Sequence, residues 1–483
     1  MTTKHELGQV WTPDAIVDHM LDSIHYGGSS ILHRCIMEPS CGHGVFITHI
    51  IERLYHAGRE AGMNDNEVSA MMDDCIYGVE YDRDAYDVCM GTIRSFAQSL
   101  GLHSAFPNVI NHDALTLDYT GNFDFIVGNP PYIRVHHMDD NMRRLVKRMD
   151  FCSGTTDAYI AFFDMSLRWL NDRGTLSFIA PSSWMSNVSQ RHMRDYLIDG
   201  RCVISIDDYS HVDVFSQGTY TAVVNLRAVD SKPHEKSFAY SCMSDVNEYS
   251  YTKNISYDDV KDGASWPLAF SDMKFDSNGD ILSKFYDVRN GLATLLDRAF
   301  VITDEDFIRR NKRCPYLVPV VKSSRYDGGD IHSRILFPYH RENGVYVPIT
   351  LSELQSWNEV YDHIKGYMPS LMKRNTEANT PWYCYGRSQS IQQIDKDKLS
   401  ISTVVPPRGS CKAFPLKGPV AVYSGIYLTE RNPYDGQHDI ESIRNILQSD
   451  EFADYARAVG APMSGGYHRI GTPAIKDFII SRS

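Results

Sequence analysis

The chain has 483 residues, 42% of them apolar and 23% charged, with a formal net charge of −13. That length suits two large domains or about three ordinary ones, the composition is that of a globular chain with its own core, and no apolar run is long enough to span a bilayer. All the excess acidity falls in residues 1–230, with 17 basic and 30 acidic side chains against 31 of each in the remainder, so a basic face in the second half is compatible with the total.

The opening Met1-Thr-Thr-Lys-His-Glu6 is polar, which argues against a secretory signal. The ten cysteines are scattered without a Cys-x-x-Cys pair. That is the pattern of reduced thiols rather than of a zinc ribbon, a redox dithiol or a disulfide framework. His136-His137 beside Asp139-Asp140 lacks ligand spacing, so no metal site is expected. Cys314-Pro315 reads as a structural cysteine.

In chain order, β-rich runs are expected at 34–38, 75–80, 108–112, 123–127, 175–180, 203–207 and 220–226, and helical spacing at 45–54, 85–100 and 158–170. Strand alternating with helix argues a doubly wound, mostly parallel sheet. The last two runs lack a helix between them, so an antiparallel strand is expected at that edge. Ligands of such sheets sit beyond the carboxyl ends of the strands, and unusual residues follow these runs.

After the first run comes Glu38-Pro-Ser-Cys-Gly-His-Gly44, whose glycines permit a tight turn and close approach of a ligand to the backbone. The second run ends Gly78-Val-Glu80-Tyr81-Asp82, with a carboxylate where a ribose would lie. The third ends Asn111-His-Asp113. Together these suit a nucleoside ligand without a pyrophosphate, and no phosphate loop of the ATP-binding type is present.

The fourth run ends Gly128-Asn129-Pro130-Pro131-Tyr132. Two prolines stiffen the turn and remove two donors, leaving the Asn129 side-chain oxygen and the Pro130 carbonyl as acceptors suited to an NH₂ group. Tyr132 offers a face for a planar ring. The chemistry this suggests is alkylation of a weakly nucleophilic, conjugated amine.

With these motifs the sequence resembles the adenine-N6 DNA methyltransferases of the gamma class, the TaqI-type and Eco57I-type modification methylases. Gly8-Gln-Val-Trp-Thr12-Pro13 resembles their amino-terminal cofactor motif. The resemblance implies S-adenosyl-L-methionine as cofactor, S-adenosyl-L-homocysteine as product and no metal. It implies a cofactor site of Thr12, Pro13, Glu38, Ser40, Gly42, Gly44, Glu80, Tyr81, Asp113, Ala114 and Asn129. Among these, Glu38 would meet the methionine amino group, Glu80 the ribose and Asp113 the adenine. It implies catalysis by Asn129, Pro130 and Tyr132, with Phe215 sandwiching a flipped adenine against Tyr132. The segments 157–163 and 174–184 resemble the motifs that follow in the family.

The fold then expected is a seven-stranded S-adenosylmethionine-dependent methyltransferase sheet over residues 1–230, a connecting segment at 231–262, and a mixed α+β target recognition domain at 263–483. Pieces at 288–294, 382–387 and 464–469 resemble such recognition domains, and Arg289, Arg325, Arg387 and Arg469 are its candidate DNA contacts. The cations Arg143, Arg144, Lys147 and Arg148 read first as a solvated helix face, with phosphate contact as the alternative. The partner implied is double-stranded DNA, gripped between two lobes by a cytoplasmic, nucleoid-associated monomer of a prokaryote or phage, with no membrane. A separate cognate restriction endonuclease is implied by the family alone. The alternatives are a protein glutamine-N5 methyltransferase, an RNA adenine methyltransferase, and a DNA-binding protein without catalysis.

Overall fold

The computed structural model describes residues 11–103, 107–154, 156–210, 212, 214–215, 220–229, 235–260, 266–270, 279–431 and 439–480. Gly8 of the amino-terminal motif therefore lies outside the described residues. The chain divides into two compact units, Met1–Asp272 and Met273–Ser483.

The first unit is built on a nine-stranded mixed sheet of β1 (Ile36–Glu38), β2 (Ile76–Glu80), β3 (Asn108–Asn111), β4 (Phe123–Gly128), β5 (Leu170–Pro181), β6 (Val203–Asp208), β7 (Thr221–Arg227), β8 (Ser237–Asp245) and β9 (Glu248–Ser256). The order is β3-β2-β1-β4-β5-β7-β6-β8-β9. The strands from β3 to β5 in that order are parallel, and β7 runs antiparallel to both of its neighbours.

Helices α1 (Asp14–Ser23), α2 (Val45–Glu60), α3 (Asp65–Cys75) and α4 (Arg83–Ser99) pack with one apolar core. Helices α6 (Ala158–Trp169) and α7 (Arg191–Asp199) pack with the other, and α5 (Asp140–Val146) follows the turn after β4. β4 shows why both faces need cover. Phe125 and Val127 belong to the first core and Phe123 and Ile126 to the second, so a strand with two buried faces reads as a continuous apolar run.

Three expectations are corrected. The sheet has nine strands rather than seven. The antiparallel strand β7 lies inside the sheet, between β5 and β6, and not at its edge; its first six residues are buried, which an edge position would not allow. Residues 231–262 are not simply a connection, because β8 pairs in parallel with β6 and β9 pairs antiparallel with β8. Their polarity arises because β9 is the last strand of the sheet, with most of its side chains in solvent. Helix α3 escaped the sequence pattern, yet it carries a capping box in which Asn64 accepts from Glu67 N and Glu67 accepts from Asn64 N.

The second unit is mixed α+β. One four-stranded antiparallel sheet joins 286–290, 426–430, 398–401 and 413–416, and a four-stranded mixed sheet joins 301–302, 334–336, 317–322 and 421–423, the last two in parallel. Its aromatic core includes Phe300, Phe337, Tyr339 and Tyr385.

Candidate functional site

The carboxyl ends of β1, β2, β3 and β4 and the segment before α1 border one cavity. Thr12, Glu38, Ser40, Gly42 and Glu80 line it, as do Tyr81, Asp113, Ala114 and Asn129. These are nine of the residues expected from sequence. Pro13 and Gly44 are not among its lining; Pro13 is the N-cap of α1 and Gly44 the N-cap of α2. Pro131 borders the cavity where Pro130 was expected.

Gly42 and Gly44 make the loop after β1 possible. Gly44 sits at φ +89°, where a Cβ would lie 2.9 Å from Cys89 Sγ, so a side chain meets both a backbone and a packing obstacle. Gly42, at φ +53°, donates its N–H to Glu80 Oε2 at 2.7 Å. Asp82 N donates to Glu80 Oε1 at 2.8 Å. Each oxygen of Glu80 is thus oriented by one backbone donor and keeps capacity for another. Burial raises the Glu80 carboxyl above its usual range, and these backbone donors oppose the rise.

Glu38 is buried, and its Oε2 has no hydrogen-bond partner among the described residues. Burial, helped by the Cys89 thiol and the Glu80 carboxylate, holds its carboxyl well above the usual carboxylate range. Such a group favours its neutral form until a cation comes to it. Asp113 Oδ1 accepts from Leu115 N at 3.0 Å and starts a short turn. Burial raises this carboxyl as well, and the Leu115 donor opposes it.

The turn after β4 is held from two directions. Asn129 Nδ2 donates to Thr12 Oγ1 at 3.1 Å, and Ser40 Oγ donates to the Asn129 carbonyl at 3.0 Å. Tyr132 OH donates to the Ile179 carbonyl at 3.0 Å, which fixes the ring. Phe215 stands 6.4 Å from Tyr132, centroid to centroid, at 72°. The two rings meet edge to face, not as a parallel sandwich, and Phe215 is 5% exposed within the core.

Sequence reasoning missed Trp11, His112, Met142 and Phe162 in the cavity wall. Trp11 adjoins the Thr12-Pro13 motif and is 65% exposed. Met142 arrives on α5, whose seven residues are too few for a clear helical period.

The candidate DNA-contacting arginines are dispersed over the second unit. Arg289 pairs with Asp287 at 3.2 Å, Arg325 follows a strand end, and Arg469 lies exposed on the strand 467–469. The Arg387 guanidinium is turned inward to the carbonyls of Asn375 and Gly386. Its neighbours Tyr383 and Tyr385 are buried and donate to the Ile349 and Leu336 carbonyls, each at 2.8 Å. The 382–387 motif is therefore largely core. Arg374, which the sequence did not single out, braces it through the carbonyls of Thr294, Trp382 and Cys384. Among the described residues, no group of three or more His, Cys, Asp or Glu side chains could hold a metal ion, and no helix is long and apolar enough to cross a membrane.

Comparison with known proteins bears on this geometry. Residues 74–215 match the Eco57I restriction-modification methylase family. The Type II methyltransferase M.BstVI of Geobacillus stearothermophilus is 27% identical over 261 residues, 51% of this chain and 46% of that protein. The Type II methyltransferase M.PaeR7I of Pseudomonas aeruginosa is 32% identical over 188 residues, 37% of this chain and 33% of that protein. The chain thus spans less than half the length of these relatives. Among solved structures, the Type IIL restriction-modification enzyme MmeI in complex with DNA shares the fold, with a TM-score of 0.64 and 14% identity over 95% of this chain and 65% of that one. Residues 74–215, which hold Glu80, Asp113 and the Asn129–Tyr132 turn, are thus similar to the Eco57I restriction-modification methylase family.

Proposed function

We propose that this protein transfers a methyl group from S-adenosylmethionine to the N6 amino group of an adenine in duplex DNA, as the modification enzyme of a restriction-modification system. The observation that carries the reading is the amide of Asn129, oriented by Thr12 at the rim of a cavity lined by Glu38, Glu80 and Asp113.

The donor set fits the cofactor. The buried Glu38 Oε2, without a partner among the described residues, suits an ammonium group. The two oxygens of Glu80, each oriented by a backbone N–H, suit a pair of ribose hydroxyls. Asp113 suits an exocyclic amine, and the exposed Tyr81 suits the flank of a purine. Bound there, S-adenosylmethionine supplies an electrophilic methyl group.

The remaining chemistry belongs to the chain. A base inside a duplex is out of reach of a recessed amide, so the target leaves the stack. Tyr132, its hydroxyl tied to Ile179, offers a ring face against which that base rests, and Phe215 walls the same region edge-on. Asn129 Nδ2 donates to the Thr12 hydroxyl, and Oδ1 is the acceptor end of the amide. That oxygen and the Pro130 carbonyl accept the two hydrogens of the target amine and draw its lone pair out of conjugation. Positioning and polarisation lower the barrier, and no covalent enzyme intermediate is needed.

The test is transfer of labelled methyl from S-adenosylmethionine to unmethylated duplex DNA, followed by nucleoside analysis and sequencing. N6-methyladenine in one sequence context is expected, with product lost in Asn129→Ala while cofactor still binds. Methylation retained by Asn129→Ala overturns the assigned role. Product on RNA or on protein glutamine, and none on duplex DNA, overturns the substrate.

A further inference from the structure

Residues 134–148 follow the Asn129–Tyr132 turn directly. They carry Arg134, Arg143, Arg144, Lys147 and Arg148 against Asp139 and Asp140. This local surplus of cations stands within residues 1–230, where 17 basic side chains face 30 acidic ones.

Local pairing consumes both acids. Asp139 caps α5 by accepting from Met142 N at 2.8 Å. Asp140 pairs with Arg143 at 2.9 Å, and Arg143 also donates to the Met138 carbonyl. Arg134, Arg144, Lys147 and Arg148 stand exposed. Arg144 meets only the neutral amide of Asn141, at 3.4 Å, among its hydrogen bonds to described residues.

The rest of the segment is anchored. Met138 and Val146 are buried, and Ile133 and Met142 line the cofactor cavity. Arg144 therefore rides on α5, whose Met142 lines the site, and Lys147 and Arg148 sit in the turn that ends this helix.

A merely solvated helix face in this unit looks different. Arg83 on α4 pairs with Asp87 at 3.1 Å, and Arg191 on α7 pairs with Asp195 at 3.4 Å, each four residues on. In the 144–148 strip, no acid stands four residues after Arg144, Lys147 or Arg148, and Asp140, four residues before Arg144, pairs with Arg143 instead.

We propose that this strip is where the catalytic unit grips the phosphodiester backbone beside the target base. The proposal rests on the duplex-DNA reading above. Guanidinium and ammonium groups donate charge-assisted hydrogen bonds to phosphate oxygens, contacts that set register without reading sequence.

The experiment measures duplex affinity of the full chain against salt concentration, alongside S-adenosylmethionine affinity. Arg144→Gln/Lys147→Gln/Arg148→Gln is expected to lower the slope of log K against log salt by about two to three, at about 0.9 per phosphate contact. Affinity at low salt falls about tenfold or more, and cofactor affinity stays unchanged. Arg83→Gln, an exposed arginine on α4, keeps the wild-type slope. The charge-preserving Arg144→Lys/Lys147→Arg/Arg148→Lys keeps most of it. An unchanged slope in the triple glutamine variant, with wild-type duplex binding intact, overturns the strip alone. Loss of the slope in the charge-preserving variant overturns it too, since packing would then be the cause. Absence of wild-type duplex binding overturns the DNA reading and the strip with it.

Discussion

Thr12 and Asn129, 117 residues apart, are joined by a 3.1 Å hydrogen bond in which the amide donates and the hydroxyl accepts. The bond ties the segment before α1 to the turn after β4 and holds the amide side chain in place. Thr12 is thereby a positioning residue for Asn129 in addition to a wall of the cavity.

Thr12→Val keeps the shape and removes the acceptor. A misdirected amide costs catalysis more than binding, so kcat is expected to fall about tenfold to a hundredfold, with S-adenosylmethionine affinity changed by less than about threefold. Thr12→Ser, which restores the hydroxyl, returns most of the rate. A variant whose KM for cofactor rises while kcat holds would count against this role.

Glu38 is expected to couple cofactor binding to stability. Its folded carboxyl titrates well above the usual range because burial disfavours the charge. The folded form therefore holds its proton at pH values where the unfolded chain has released it, and this group's contribution to stability declines as pH rises above the unfolded value near 4.3. Glu38→Gln removes that decline and stabilises the cofactor-free protein by about 1 kcal/mol at neutral pH. It also weakens S-adenosylmethionine binding about tenfold to a hundredfold, because a charge-assisted contact is lost. Melting temperature against pH, with calorimetric titration of the cofactor, checks both halves.

Lys398, in the second unit, is buried and donates to the Ile394 and Val420 carbonyls at 2.8 and 2.9 Å. Burial lowers its ammonium to about 8. Between pH 8 and the unfolded value near 10.4 the unfolded chain binds more protons, so this group makes stability rise with pH across that window and leaves it flat below. Lys398→Met removes the rise. Denaturant unfolding at pH 7.5, 9 and 10.5 measures it, and identical pH slopes in both proteins would refute the assignment.

Gly44→Ala puts a methyl group at φ +89° and within 2.9 Å of Cys89 Sγ. A loss of about 2 kcal/mol is expected. Gly44→Ala/Cys89→Ala recovers the steric part and leaves the backbone strain, so a double-mutant cycle separates the two.

Much of the site was legible because its chemistry is local. The turn 38–44 needs its glycines, and the turn 129–132 carries its prolines and tyrosine in one unbroken run. The strand ends announce themselves because buried strands read as apolar runs that stop at polar residues. Trp11, His112 and Met142 stayed hidden because a cavity wall needs only shape, which leaves no pattern along the chain.

By itself, then, the sequence determined the strand-helix alternation of the first unit and the residue types gathered at the strand ends. Tertiary structure alone decided that Thr12 meets Asn129, that β7 enters between β5 and β6, and that the polar stretch 237–256 forms two further strands of the sheet. It also decided that the aromatic run ending at Arg387 packs inward. The reason is physical. A turn is stabilised by its own residues, whereas burial and pairing are set by the neighbours that a segment finds only once the chain has folded.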